Sequence, residues 1–417
     1  MTPRSPRALA LAALREWRTS ERFADSIVHR RLLQTALAGP DRAFTTDLVF
    51  GVVRNLTLLD YWIAMLRLGK VDHESRDVLR LGLYQLLILN SAEHAAVFET
   101  VAIADPRARG LVNAILRSTQ TRRDELVQAR DAAPVATRFS HPQMIVDRWT
   151  EHFGATDAAT LCKWDNEPPP IYARVNQLKI SPRDFATSCA GAEPVSGFPN
   201  LFRLRELPTE SLDRGDCYIQ DPSTTLACQL LDPQPGETVL DACAAPGGKA
   251  CDLAERMQNC GSLVATDRDR SRLVTLRQNL ARLGVENAEV VECDWTHDRP
   301  LPESIADRSY DRILVDAPCT NTGVMRRRVD VRWRLSAGDF GRLQSQQRAI
   351  LRRVAPLLKP AGVLVYSTCS IEPEENETVV QAFADEVGFV GRGEQMATLP
   401  FRDGIDGAFA TRFDRVG

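Results

Sequence analysis

Over roughly the first 130 residues, apolar positions recur at i, i+3, i+4 and i+7, with almost no strand pattern. ALALAALREW, ADSIVHRRLLQTAL, TTDLVFGVVRNLTLLDYWIAMLRL, SRDVLRLGLYQLLILN, AVFETVAIA and ARGLVNAILRSTQ each carry one apolar face. They predict a compact helical bundle. The charged stretch TQTRRDELVQARDAAP and Pro134 mark its end, placing a helical domain at 1–137. Between 138 and 221 the pattern is mixed. HPQMIVDRWTEHFG and TDAATLCKWDN read as helices that stop at Pro168-Pro169-Pro170, and IYARVNQLKI, PRDFATSCAGA and LFRLREL as a strand-helix-strand unit of a small α+β domain.

From 222 to 417 short apolar runs at 239–243, 263–267, 289–294, 312–317 and 363–369 alternate with helical stretches such as DRSRLVTLRQNLARLG. Strands apolar on both faces and joined by helices predict an open parallel sheet. Ligands on such sheets bind outside the carboxyl ends of the strands. Asp241, Asp267, Asp294, Asp316 and Cys369 all stand at those ends.

The chain has 417 residues, enough for two or three domains. No apolar run approaches the roughly 18 residues that cross a bilayer, and Arg15, Glu16 and Arg18 interrupt the N-terminal apolar stretch. The expected address is the cytoplasm, with no membrane partner. Ten cysteines lie scattered without a C-x-x-C pair, and six histidines form no cluster at zinc spacing, so no structural metal is expected.

A net charge of −3 is not that of a basic nucleic-acid binder. Its distribution says more: residues 1–140 carry 20 Lys and Arg against 15 Asp and Glu. A second cluster, MRRRVDVRWR, offers Arg326, Arg327, Arg328, Arg332 and Arg334 as candidates to grip phosphates, against the plainer reading of a solvated loop.

In LDACAAPGGK a strand end at Asp241 is followed by Cys243, Ala244, Ala245, Pro246, Gly247, Gly248 and Lys249, and the glycine pair lets backbone approach a ligand. The spacing fits neither a dinucleotide fingerprint nor a triphosphate loop. Asp267, twenty residues beyond Gly247, is placed to accept bonds from ribose hydroxyls, and Asp294 to meet an adenine amino group. An adenosine cofactor without phosphates, S-adenosylmethionine, fits this set. Helix N-caps remain the plain structural alternative for Asp267 and Asp294.

Two thiols complete the pattern: Cys319 in Asp-Ala-Pro-Cys and Cys369 in Ser-Thr-Cys-Ser, each closing an apolar run. DACAAPGGK, DAPC then TGV, STCS then PEENE, and a final DGAF resemble, in order, the motifs of the RNA cytosine-C5 methyltransferases of the Sun/Fmu family. GVVRN, LRLGLYQLL and LVNAILR look like the NusB-type RNA-binding domain of one branch, and ARVNQLKIS is similar to the family's small extension. The resemblance spans nearly the whole chain. It implies an α/β Rossmann-like S-adenosylmethionine methyltransferase domain preceded by an all-α NusB-like domain, acting as a monomer on 16S rRNA that is unfolded or in an early small-subunit particle.

By the family's pattern Cys369 is the nucleophile that adds to cytosine C6, and Cys319 assists proton removal and product release. Asp316 meets the base at N3 and its amino group and also borders the cofactor, and Lys249 orients groups near cofactor or base. Three departures stand out. Thr320-Asn321 replaces the usual Ser-Gly, Ala250 replaces the usual Thr, and no His-Pro precedes Asp330. Asn321, bulkier than Gly, is expected to reshape the target-base pocket. Beside this reading stand the same chemistry on tRNA or another rRNA, and a non-catalytic RNA-binding assembly factor.

Overall fold

A computed structural model describes residues 5–387 and 390–415. They form two compact units. The first runs to Pro168 and takes in Met325–Leu335; the second takes in Pro169–Val324 and continues from Ser336.

The first unit is helical throughout. Ser5 starts it as an N-cap, its hydroxyl accepting from the Ala8 amide, with Pro6 at the first helical position of Pro6–Thr19. Successive helices bury one apolar stripe each around Leu48, Val52, Leu59, Trp62, Leu79 and Leu116. The stretch expected as one long helix is two, Gly39–Arg54 and Leu56–Leu66, bent by 77° at Asn55. Asn55 leaves the helical basin at φ −112° and ψ 22°, and its side-chain amide donates to the Gly51 carbonyl. Such local bonding competes with the helix ladder. The helices Gln143–Phe153 and Ala155–Trp164, grouped by sequence with the α+β domain, pack in this unit. No single helix among the described residues is long and apolar enough to cross a membrane.

The arginine-rich segment corrects the sequence reading. Arg332 is 0% exposed; it donates to the Ser140 and Asp165 carbonyls and to Asn166 Oδ1. Arg326 donates to the Glu167 and Pro168 carbonyls and stacks over Trp164 at 4.1 Å. Arg334 reaches the carbonyls of Trp17 and Arg22, and Asp330 accepts from the Trp17 indole and the Ala24 amide. These guanidiniums satisfy backbone carbonyls, and of the five arginines only Arg328 is exposed. Met325–Leu335 is therefore part of the helical unit's packing, with Val329 in its core. We expect Arg332→Met to destabilise the protein by about 3–5 kcal/mol, because it leaves several buried carbonyls without their donor and removes a nearby positive charge from the buried Asp165. Denaturant unfolding of the full chain checks this; a loss under about 1 kcal/mol, the size of an exposed-pair effect, contradicts it.

The second unit opens with a small antiparallel sheet of β1 (Ile171–Val175), β2 (Glu193–Val195), β3 (Phe198–Leu204) and β4 (Cys217–Ile219), in the order β2-β3-β1-β4. The helix Pro182–Ser188 seals it by burying Phe185 against Phe202. A seven-stranded sheet follows: β5 (Thr238–Asp241), β6 (Ser262–Asp267), β7 (Ala288–Glu292), β8 (Tyr310–Asp316), β9 (Leu358–Thr368), β10 (Val390–Thr398) and β11 (Ala408–Arg415). Its order is β10-β11-β9-β8-β5-β6-β7. The five strands read from sequence pair in parallel, whereas β11 runs antiparallel to both β9 and β10. The expected parallel sheet is thus present and is extended by two antiparallel strands that the sequence reading did not include. The chain winds from β5 outward to β7 and crosses back to β8, so the direction switches between β5 and β8. In this Rossmann-like arrangement the crevice at the switch is framed by Asp241 and Asp316.

Candidate active site

The loop after β5 is tied to its neighbours by the Ala242 amide on the Leu314 carbonyl (2.9 Å) and the Ala244 amide on Thr266 (2.7 Å). Gly247 turns the chain at φ +114°, where a side chain would be strained. Helix Gly248–Arg256 starts there, with the unpaired amides of a first turn at the crevice. Asp241 is wholly buried and neither of its oxygens completes a hydrogen bond. Burial, then the charge of Asp316, pushes its carboxyl up to about 7, only partly offset by the Lys249 ammonium and then the nearby Cys243 amide. A buried acceptor of this kind calls for a donor.

Asp267 ends β6; Oδ1 accepts from the Asp269 amide at 3.0 Å and Oδ2 pairs with Arg272 at 3.1 Å. The N-cap of Arg270–Leu283 is Asp269, so the capping alternative fails for Asp267. Asp294 lies beyond β7 and accepts from the Thr296 amide and hydroxyl at 2.9 and 2.6 Å, building its own turn. Sequence reading missed Arg272, which also donates to the Ala245 carbonyl and so joins the two loops. Its signal was slight: one arginine in an exposed helical face.

At the ends of β8 and β9 the Ala317 amide donates to the Ser367 carbonyl at 2.8 Å, drawing the two loops together. Cys319 Sγ and Cys369 Sγ stand 3.3 Å apart, the first buried and the second half-buried. Their contact and then burial push the Cys319 thiol well up. Two thiols this close do not both ionise. Lys249 Nζ donates to Asp316 Oδ2 at 2.8 Å and the Ser367 hydroxyl to Oδ1 at 3.3 Å. Burial lowers the Lys249 affinity for its proton, but Asp316 outweighs it and holds the ammonium charged. Lys249 is therefore engaged by a carboxylate, unlike a phosphate-binding lysine.

A second layer holds the thiol loops. Glu375 accepts from the Thr320 amide at 3.0 Å, the Thr320 hydroxyl, and Gln347 Nε2 at 2.9 Å. The Ser370 hydroxyl meets those of Thr320 and Thr322 at 3.1 and 3.2 Å. The Gly323 amide donates to the Cys369 carbonyl at 3.0 Å, and Gly407 to Gly323 at 2.8 Å. A Cβ on Gly323 would lie 2.5 Å from the Gly407 carbonyl. TGV, STCS, PEENE and DGAF thus form one packed assembly. Sequence reading quoted these motifs but assigned no role to Glu375, Thr320 or Ser370.

The model of the 16S rRNA methyltransferase RsmB/F family matches residues 228–412, that of the NusB family 4–121, and the RsmF/B-like ferredoxin-like domain 141–193. The chain is 35% identical to a probable ribosomal RNA small subunit methyltransferase B of Bacillus subtilis, over 93% of this chain and 89% of that protein. It is 35% identical to the ribosomal RNA small subunit methyltransferase B of Serratia proteamaculans, over 92% and 93%. A methyltransferase homologue from Pyrococcus horikoshii superposes with a TM-score of 0.59 at 30% identity, covering 68% of this chain and 98% of the other.

Proposed function

The chain belongs to the RsmB/F family of 16S rRNA methyltransferases, and from that premise we propose that it transfers a methyl group from S-adenosylmethionine to C5 of a cytosine in 16S rRNA. The observation that carries the chemistry is the pair of thiols 3.3 Å apart beside the Lys249–Asp316 pair. The crevice residues fit the cofactor: three carboxylates at or just beyond strand ends, Asp241 among them with neither oxygen hydrogen-bonded, and a glycine turn, while the two cations there, Lys249 and Arg272, are each paired with a carboxylate. Residues 243–249, with Asp267 and Asp294, would hold it. When bound it supplies an electrophilic methyl group.

Cytosine C5 alone is a poor nucleophile. The Cys369 thiolate adds to C6, forming the S–C6 bond and pushing electron density to C5. Asp316 accepts from the amino group and passes to N3 the proton that Cys369 gives up, which neutralises the negative charge developing there; its own position is set by Lys249 and Ser367. Once C5 carries the methyl group, Cys319, having given its own proton to solvent, takes the C5 proton as the S–C6 bond breaks and Asp316 takes back the N3 proton, restoring the base and the Cys369 thiolate. A cytosine reaches these groups only when unstacked, which favours a loop or an unfolded segment of rRNA.

The test incubates the purified protein with unmodified 16S rRNA and methyl-labelled S-adenosylmethionine, and maps 5-methylcytosine. We expect label at a single cytosine. Label on tRNA but not 16S rRNA overturns the substrate, and failure of the cofactor to bind with or without RNA overturns the enzyme reading.

A further inference from the structure

Asn321 holds the turn after Cys319 at φ +58°, a left-handed backbone that Gly and Asn adopt more readily than other residues. As backbone, then, Asn321 does what Gly would do. Its side chain adds two bonds that Gly cannot. Nδ2 donates to the Cys319 carbonyl at 2.7 Å, which turns the other end of the carboxamide toward Cys369, and the Cys369 thiol donates to Oδ1 at 3.1 Å. The reverse orientation would set Oδ1 against the Cys319 carbonyl, two acceptors face to face. A thiol has one proton. With that of Cys369 committed to Asn321, the contact between the sulfurs has Cys319 as donor and Cys369 as acceptor.

We propose that Asn321 is a positioning residue that sets the direction of this chain, Cys319 to Cys369 to Asn321, and keeps Cys369 a thiol in the absence of substrate. This rests on Cys369 being the nucleophile. If Cys369 loses its proton, its sulfur faces the lone pairs of Oδ1 while keeping the Cys319 S–H as donor. Asn321 therefore resists ionisation of the pair and Cys319 supports it. Other groups near the thiols include the Lys249 ammonium, Asp316 behind it, Glu375 and Tyr366, and the Asn321 backbone amide meets the Cys319 sulfur. They are common to every variant compared below.

The experiment follows alkylation of Cys369 by iodoacetamide, in which the S–C bond forms as iodide leaves. The full chain is used without RNA or cofactor, labelling is resolved by mass spectrometry, and pH is varied from about 6 to 10. The midpoint reports ionisation and the high-pH plateau reports access. Asn321→Gly keeps the backbone and removes the acceptor, so its midpoint falls, with roughly tenfold faster labelling near pH 7. Asn321→Asp keeps an acceptor and adds charge, so its midpoint rises. Coincident midpoints in the three proteins overturn the proposal, as does a change confined to the plateau. Methyl transfer is measured separately on the same proteins. If the midpoints move as expected while wild type methylates no RNA, the catalytic reading falls and the role of Asn321 in the thiol pair stands.

Discussion

Cys369→Ala is expected to abolish methyl transfer, by about 10⁴-fold or more, and Cys319→Ala to accumulate a covalent protein–RNA species as its turnover falls by roughly 10²–10⁴-fold. The asymmetry follows from the proposed division of roles. Without Cys369 no S–C6 bond forms, C5 is never activated, and no adduct can appear at any time. Without Cys319 the addition proceeds but the C5 proton has no acceptor, so the enzyme stays on its product. The local electrostatics agree. The contact with Cys369 and burial keep Cys319 protonated while Cys369 is free; once the Cys369 sulfur is bonded to C6 it no longer competes for charge, and Cys319 can lose its proton and act as the base. Denaturing gel electrophoresis with labelled RNA, followed by peptide mapping, separates the outcomes. An adduct that survives Cys369→Ala and disappears in Cys319→Ala would reverse the two roles; no adduct in either variant would sink the covalent route.

What the sequence made legible, and what it hid, follows from how far each signal depends on tertiary contacts. β5, β6, β8 and β9 announced themselves because strands covered on both faces need near-continuous apolar runs. β10 and β11 did not, since VGRGEQMAT and AFATRFDR mix glycine and charge with short alternation. The break at Asn55 was hidden because the apolar period continues through it and neither Gly nor Pro stands at the bend. The arginines of 325–335 misled for a sharper reason. Charge along a sequence suggests solvent or phosphate, yet a guanidinium has five donors and can be buried where backbone carbonyls converge, as Arg332 is. The strand-end carboxylates and thiols were found by position alone. Their supporting layer of Glu375, Thr320 and Ser370 was not, because ordinary polar residues gain meaning only when a fold brings segments some fifty residues apart together.

Asp316→Asn lowers kcat by about 10²–10³-fold while leaving S-adenosylmethionine affinity within a fewfold of wild type. The sequence placed Asp316 both among the catalytic groups and at the cofactor, and the two roles make different demands. A carboxyl group that moves a proton to N3 as negative charge develops on the base acts in the transition state, so its loss appears in kcat. One that only lines the cofactor pocket would weaken binding of S-adenosylmethionine with or without RNA. Its geometry favours the first role. Oδ1 and Oδ2 are positioned by Ser367 and Lys249, and the side chain remains 31% exposed at the crevice, so an incoming base can reach it. The amide of Asn keeps the shape but presents one donor and one acceptor, and it leaves the Lys249 ammonium, held charged by Asp316, without its counter-ion. Lys249→Met should therefore cost less in the Asp316→Asn background than alone, since the partner it positions is already lost. Calorimetric titration of the cofactor, with single-turnover methyl transfer on the same four proteins, checks both statements. A parallel loss of binding and rate in Asp316→Asn would place the residue at the cofactor, and strict additivity with Lys249→Met would deny that the two act as a pair.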